Sequence, residues 1–297
     1  MKTARLLIAA NLLVGSIAAG HAGAVAVYGL GTDNTIVRFD SAAPGTILGS
    51  ATISGASASG GSVPQLIGID FRPANNVLYG ASAAGELFTI NPLTGSATSI
   101  GISSIAPSGS SFGFDFNPAA DRLRIVSNTD QSLRINVDNR VAISDGALNY
   151  GPADPSAGFN PTVVGSAYTN SFAGTLTTQL FGIDSDRDTL VLQNPPNAGT
   201  LVTIGSLNFD TGTSVGFDIF AEGNQGFAAL TPENGFSSFF GIDLATGSSI
   251  FLGRIGSDTV ISDIAVAQVP EPETVLLFSV GLLGLLAARR RKHAKAV

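Results

Sequence analysis

Short apolar runs and polar breaks succeed one another over Leu66–Gly101. The segment reads LIGIDFRPANN, VLYGAS, AGELFTINPLTG and SATSIG, four apolar runs divided by Asn, Pro, Gly and Ser. Runs of this length between turn signals predict a four-stranded antiparallel meander. Such a sheet is apolar on both faces and needs neighbours to cover it.

The rest of the chain supplies them. Ala24–Gly55 gives VAVYGL, TIVRFD and a run around Thr46–Ile53, which match the second, third and fourth runs but lack a first. Full units start at SFGFDFNPAADR, PTVVGSAYTN and TSVGFDIFAEGN, and one lone first run, VISDIAVA, follows at Val260–Ala267. Equivalent positions in the first runs fall at Gly68, Gly113, Gly165, Gly216 and Ile261, at intervals of 45, 52, 51 and 45. The third runs end at Asp40, Asn91, Asn136, Gln193 and Asp243. A four-stranded unit at a period of about 40–50 residues marks a β-propeller. The orphan first run at the end completes the incomplete unit at the start, which removes open sheet edges. The pattern therefore predicts an all-β, five-bladed propeller closed by pairing of its N- and C-terminal strands. A sixth blade hidden in the long span 136–165, or a β-sandwich, are the competing architectures.

Both ends differ from this body. Lys2 and Arg5 precede the apolar run Leu6–Ala19, and Ala22-Gly23-Ala24 follows it, the order of a secretory signal peptide over residues 1–24. Residues 25–268 are then the propeller domain, and 269–297 a separate tail. The tail carries Pro270-Glu271-Pro272, a fifteen-residue apolar run at Thr274–Ala288, and the cluster Arg289, Arg290, Arg291 and Lys292. The run is shorter than the ~20 residues that span a bilayer comfortably. Snorkelling Arg side chains and local thinning make a short membrane helix over 274–288 feasible. The basic cluster would stay cytoplasmic and leave the domain outside.

This tail resembles the PEP-CTERM sorting signal of bacteria in all three of its parts. The resemblance implies an inner-membrane precursor recognised by an exosortase-type transpeptidase, with Pro270, Glu271 and Pro272 as recognition residues. It also implies a Gram-negative host that makes exopolysaccharide, and so an extracellular polysaccharide as a partner in the cell envelope or matrix. The phrases GIDFRPANNVLYG, GFDFNPAADRLRIVSN, RINVDNR and LFGIDSDRDTLVLQNPP resemble a bacterial family catalogued as domain of unknown function 4394. That family brings no activity and no catalytic residues.

Composition narrows the chemistry. Residues 25–268 hold eight Arg and no Lys against seventeen Asp and three Glu, a formal charge of −12, with no Cys, His, Trp or Met. Scattered Arg on so acidic a domain argues against nucleic-acid binding. An exported domain without disulfides must draw its stability from a core. Triads, thiol nucleophiles, zinc sites and Schiff-base chemistry all lack their residues. Paired-carboxylate chemistry survives, so the alternative to a non-enzymatic envelope protein is a glycosidase.

Two carboxylate sets stand out. Asp70, Asp115, Asp218 and Asp263 each lie two residues after the register position, on one face of a channel-lining strand. They are candidates to ring a cation or a sugar. The structural reading is that each accepts hydrogen bonds from backbone donors in its own blade. The fourth unit has Ala167 at this place. Asp184, Asp186 and Asp188 have the alternate spacing of a calcium loop. Thr189 and Pro195, however, stand where such a loop needs Gly and Glu, and the run also aligns with an ordinary strand-to-strand turn. Calcium is the one cofactor the sequence suggests, and no other is expected. Tyr28, Tyr79, Tyr150 and Tyr168 are expected to pack strands.

Overall fold

The computed structural model describes residues 24–268. The expected signal peptide, the expected recognition residues Pro270, Glu271 and Pro272, the expected membrane helix over 274–288 and the basic cluster Arg289, Arg290, Arg291 and Lys292 fall on residues 1–23 and 269–297, outside the described residues. Five sheets, each built on a four-stranded antiparallel meander, stand around one axis. The chain opens with β1 (Ala26–Gly31), β2 (Thr35–Asp40) and β3 (Ala43–Thr52) of blade 1, then the short β4 (Ser54–Ala56). Blade 2 follows as β5 (Leu66–Arg72), β6 (Val77–Ser82), β7 (Glu86–Ile90) and β8 (Ser96–Ile102). Blade 3 is β9 (Phe112–Asn117), β10 (Arg122–Ser127), β11 (Ser132–Asn136) and β12 (Val141–Ser144). After β13 (Asn149–Tyr150), blade 4 is β14 (Val163–Tyr168), β15 (Leu180–Asp184), β16 (Thr189–Gln193) and β17 (Thr200–Ser206). Blade 5 is β18 (Val215–Phe220), β19 (Gln225–Leu230), β20 (Ser238–Ile242) and β21 (Ser249–Arg254), and β22 (Ile261–Val266) ends the body.

The last strand returns to the first. β22 pairs antiparallel with β1, Val27 opposite Val266 and Gly29 opposite Ile264, and becomes the inner strand of blade 1. The orphan run therefore completes the incomplete unit. The span 136–165 makes no sixth blade: its β13 pairs parallel with β17 as a fifth, outermost strand of blade 4. β4 does the same on β8 of blade 2. Both cover an outer edge that would otherwise present unpaired backbone groups.

The local signals have local causes. Asn76, Asp121 and Asn224 each precede a second strand at φ 54°, 51° and 49°, in the left-handed region that Asn and Asp tolerate best. At the ends of the third strands, Asp40, Asn91, Asn136 and Asp243 accept backbone N–H groups two residues on, at 2.7 to 3.0 Å. These turns aim the chain into each fourth strand. Gln193 is one methylene longer and instead donates to the Pro196 carbonyl.

Apolar cores lie between blades, one at each junction. Tyr28 and Leu30 meet Phe71 and Phe88 between blades 1 and 2. Tyr79 and Ala81 meet Phe114 and Ile125 between blades 2 and 3. Ile183 and Leu190 meet Phe217 and Ile219 between blades 4 and 5, and Phe239 meets Phe39 and Ile264 between blades 5 and 1. The smallest cluster, with Val126, Tyr150, Val163 and Val191, joins blades 3 and 4. Inner strands are covered on both faces, so they read as continuous apolar runs rather than alternating ones. All four tyrosines are buried, and Tyr28 and Tyr79 pack edge-on against Phe71 and Phe116.

Two of the register glycines, Gly113 and Gly216, lie hard against the backbone of the next inner strand. A Cβ on Gly113 would lie 2.7 Å from the Gly165 carbonyl carbon and from Ser166 N, and one on Gly216 would lie 2.5 Å from Ile264 N. These are backbone atoms of the next inner strand and cannot swing away. In blade 1 the residue is Ile261, and Gly29 on β1 leaves the room, since a Cβ there would be 2.9 Å from Ile261 Cδ1. Replacing Gly113 with Ala should therefore destabilise the fold by roughly 2 kcal/mol or more. Gly49→Ala, where the added carbon meets nothing within 4 Å, should stay within about 0.5 kcal/mol. Urea denaturation of the two variants checks the contrast; equal effects would contradict it.

Candidate functional site

The four repeated carboxylates come together around the axis, as their register predicts, but their donors lie elsewhere than expected. The backbone N–H of Ile69 in blade 2 donates to Asp263 of blade 1 at 2.8 Å. Phe116 N–H of blade 3 donates to Asp70 of blade 2 at 2.8 Å, and Tyr168 N–H of blade 4 to Asp115 of blade 3 at 2.9 Å. Val266 N–H of blade 1 donates to Asp218 of blade 5 at 2.6 Å. Each carboxylate thus clamps the next blade, which corrects the expectation of partners within its own. Asp218 and Asp263 also accept the next N–H on their own strand, those of Ile219 and Ile264, and the Phe71 N–H acts on Asp70 in the same way.

Blade 4 contributes no clamp, because Ala167 stands at the equivalent place. Between blades 4 and 5 an asparagine pair takes over: Asn224 Oδ1 accepts the Asn170 N–H at 2.7 Å, and Asn224 Nδ2 donates to Asn170 Oδ1 at 3.0 Å.

The ring is sealed. Asp70, Asp115, Asp218 and Asp263 are each at most 3% exposed. Burial raises all four carboxyls above the usual range. Asp218 is pushed up to about 6 by burial, against the pull of the Val266 and Ile219 N–H groups. Asp70 is raised further by the charge of Asp218, and Asp115 by Asp70 and then Asp218. Contact between Asp70 and Asp115 raises Asp115 and lowers Asp70. Burial holds both carboxyls of the pair high, and Asp115 Oδ1 has no hydrogen-bond partner. Among the described residues, no group of three or more acidic or His side chains is arranged to hold a metal ion.

Asp184, Asp186 and Asp188 diverge. Asp184 is fully buried and accepts from Tyr150 Oη, from Thr162 N at 3.2 Å and from Asp186 N at 3.0 Å. Asp186 accepts from Thr162 Oγ1 at 2.8 Å, and Asp188 from Thr211 N at 2.9 Å. The three carboxylates fasten three different segments around the turn between β15 and β16. Tyr150, buried against Asp184, is held well above the usual phenol range, first by burial and then by the carboxylate.

Sequence reading missed the arginine staples. Arg72, at the end of inner strand β5, reaches across to blade 3 and forks onto Asp121 and Asp138 at 2.5 to 2.8 Å. These bonds raise Arg72 far above its ordinary value and hold Asp138 low. Arg124, 1% exposed, donates to Asp145, to Ser132, and across the blade junction to Tyr168 Oη and Asn197. Asp145 also receives Arg134, and the two guanidinium groups hold it low despite its burial. A polar network thus stands where the apolar cluster between blades is smallest. A signal existed only at the level of blade contacts: of the eight arginines in residues 25–268, four (Arg72, Arg122, Arg124 and Arg134) lie in strands β5, β10 and β11, where nothing basic is needed for solubility.

Clamped inner strands, inter-blade cores and a sealed carboxylate ring define a five-bladed β-propeller whose repeated acids serve its architecture. The chain belongs to the family described as Domain of unknown function (DUF4394), whose profile matches residues 35–265. Residues 268–292 match the PEP-CTERM protein-sorting motif, which implies export and a membrane-anchored precursor sorted by an exosortase. No curated protein matches the chain. One similar solved structure is a protein of unknown function from Bacteroides thetaiotaomicron VPI-5482, 15% identical with a TM-score of 0.42, over 67% of this chain and 45% of that one. Another, from Lactobacillus plantarum, is 16% identical with a TM-score of 0.39, over 81% of this chain and 71% of that one.

The ring predicts an unusual pH response. A carboxyl with a raised folded pKa binds more protons folded than unfolded, so its contribution to stability falls as pH rises through the interval between the two values. For Asp218 that interval runs from the ordinary carboxyl value of 3.8 to about 6, and the loss is on the order of 3 kcal/mol. Asp70, Asp115 and Asp263 act in the same direction. Asp138 and Asp145 act oppositely, but below the ordinary carboxylate range. Urea unfolding should show stability falling from about pH 4 to about pH 7, and Asp218→Asn should flatten that slope. Stability rising over the same range would contradict the assignment.

Proposed function

We propose that this chain is an exported, non-enzymatic propeller of the cell envelope or extracellular matrix. On this reading residues 1–24 act as a signal peptide and 269–297 as the sorting tail, with an apolar helix at 274–288 held in the inner membrane until an exosortase-type transpeptidase removes it. Pro270, Glu271 and Pro272 are the recognition residues, and Arg289, Arg290, Arg291 and Lys292 mark the cytoplasmic side.

One observation carries the non-catalytic part. The composition leaves only carboxylate chemistry, and the four repeated carboxylates are buried and bonded to backbone N–H groups of the adjacent blade. A glycosidase needs two carboxyl groups facing substrate across an open cleft, one of them free to give and take a proton. Acids further out are also committed: Glu86 accepts from Ser57, Ala58 and Ser99, and Asp154 from Thr203. The domain is therefore built to present surfaces and to persist outside the cell without disulfides.

Two experiments test the reading. Cells expressing the chain without residues 269–297 should mislocalise the protein and lose its size shift on processing; unchanged fractionation would remove the sorting role. The full chain should leave a panel of bacterial exopolysaccharides at unchanged length by size-exclusion chromatography. Cleavage that disappears on substituting a carboxylate pair would overturn the non-catalytic assignment.

A further inference from the structure

We propose that the mouth of the central channel binds a neutral, polyhydroxylated ligand of about the size of a sugar ring. A cavity of about 310 Å³ opens where the inner strands begin, at the small end of ordinary ligand pockets. Its rim is drawn from four blades: Thr32 and Ser262, Gln65, Ser110 and Ser111, and Thr213 and Ser214. Leu66, Ile67 and Phe112 supply apolar surface within it.

Charge decides the ligand class. No ionisable side chain lines the cavity. A domain of formal charge −12 disfavours anions on balance, and the lining offers no Lys, Arg or His to hold one. A cation finds no carboxylate in the lining either, since the ring of Asp70, Asp115, Asp218 and Asp263 is sealed further along the same strands. What remains is a ligand that trades hydroxyl for hydroxyl and lays C–H groups on Leu66, Ile67 and Phe112.

The rim has hydrogen-bonding capacity to spare. Ser214 Oγ donates to the Ile261 carbonyl and Ser262 Oγ to the Leu30 carbonyl, so these two brace the rim. The hydroxyls of Thr32, Ser111 and Thr213 line the cavity and bond no protein group among the described residues. The segment carrying Ser110 and Ser111 is held in shape before any ligand arrives. Asn128 Oδ1 accepts both of their backbone N–H groups at 3.0 and 3.3 Å. Preformed donors and acceptors reduce the ordering cost of binding.

Placement supports access. The described chain ends at Gln268, which follows the far end of β22 and is fastened there by Ala221 N–H and the Ile219 carbonyl. Gln268 therefore lies at the end of the blades opposite the mouth. The proposal rests on the non-enzymatic reading above, and the two fail separately: absence of binding without cleavage overturns only the mouth site.

The test uses the full chain in a zwitterionic detergent without a sugar headgroup. Saturation-transfer NMR is recorded with D-glucose, D-mannose, D-galactose and maltose, and with D-glucuronate and D-glucosamine as charged counterparts. At least one neutral sugar should bind. Thr213→Phe and Thr32→Phe, both at exposed rim positions, should each weaken it at least about tenfold by filling the cavity, with an unchanged melting temperature. Ser111→Ala should weaken it without filling the cavity. No binding of any neutral sugar, binding indifferent to both Phe substitutions, or preference for a charged sugar overturns the proposal.

Discussion

The approach of five inner strands around one axis is the constraint on which everything else in this protein depends. At Gly113 and Gly216 the next strand's backbone comes within the volume a Cβ would need. That closeness brings the carboxylates of blades 1, 2, 3 and 5 into reach of a backbone N–H on the next blade. It also removes water from the carboxylates, which raises their proton affinity and leaves Asp218 at about 6. A looser ring would relieve the burial and lose the clamps together, because the same short distance produces both.

Closure and cohesion then divide the remaining work. β22 on β1 ties the two ends of the body into one blade, so no inner edge is left to pair with another chain. Between blades, aromatic and aliphatic side chains carry most junctions. Where the apolar cluster is thinnest, between blades 3 and 4, Arg124 spans the gap to Tyr168 and Asn197. A buried guanidinium is tolerable only with its donors matched, and Ser132, Asp145, Tyr168 and Asn197 match them. Between blades 4 and 5, where Ala167 replaces a carboxylate, the Asn170–Asn224 pair supplies the missing polar link. Each junction thus has its own combination of apolar contact and hydrogen bonding.

The carboxylate ring shows how a repeat can imitate a site. Acids at one register, on one face, lining a channel have the layout of a cation or sugar site. Their burial and their backbone partners make them fasteners instead. The surface with uncommitted groups is the mouth, whose Thr32, Ser111 and Thr213 come from loops that differ from blade to blade. Function in such a fold resides where the repeat breaks down, because positions shared by all units are occupied by the needs of the unit.

Period, strand count and the N-to-C closure were all legible in the chain, since they follow from apolar runs, turn residues and the spacing of Gly68, Gly113, Gly165 and Gly216. The sorting tail was legible because its Pro-Glu-Pro, apolar run and basic end are contiguous. Tertiary structure alone decided the partner of each acid. Asp263 and Ile69 are 194 residues apart, and Asp70 and Phe116 are 46 apart; no local pattern records which neighbour a side chain will meet. It alone assigned the span 136–165 to an edge of blade 4, because a two-residue strand exists only once its partner is in place. It alone joined Thr32, Gln65, Ser111 and Thr213 into one rim, since a channel mouth is made by closing the ring.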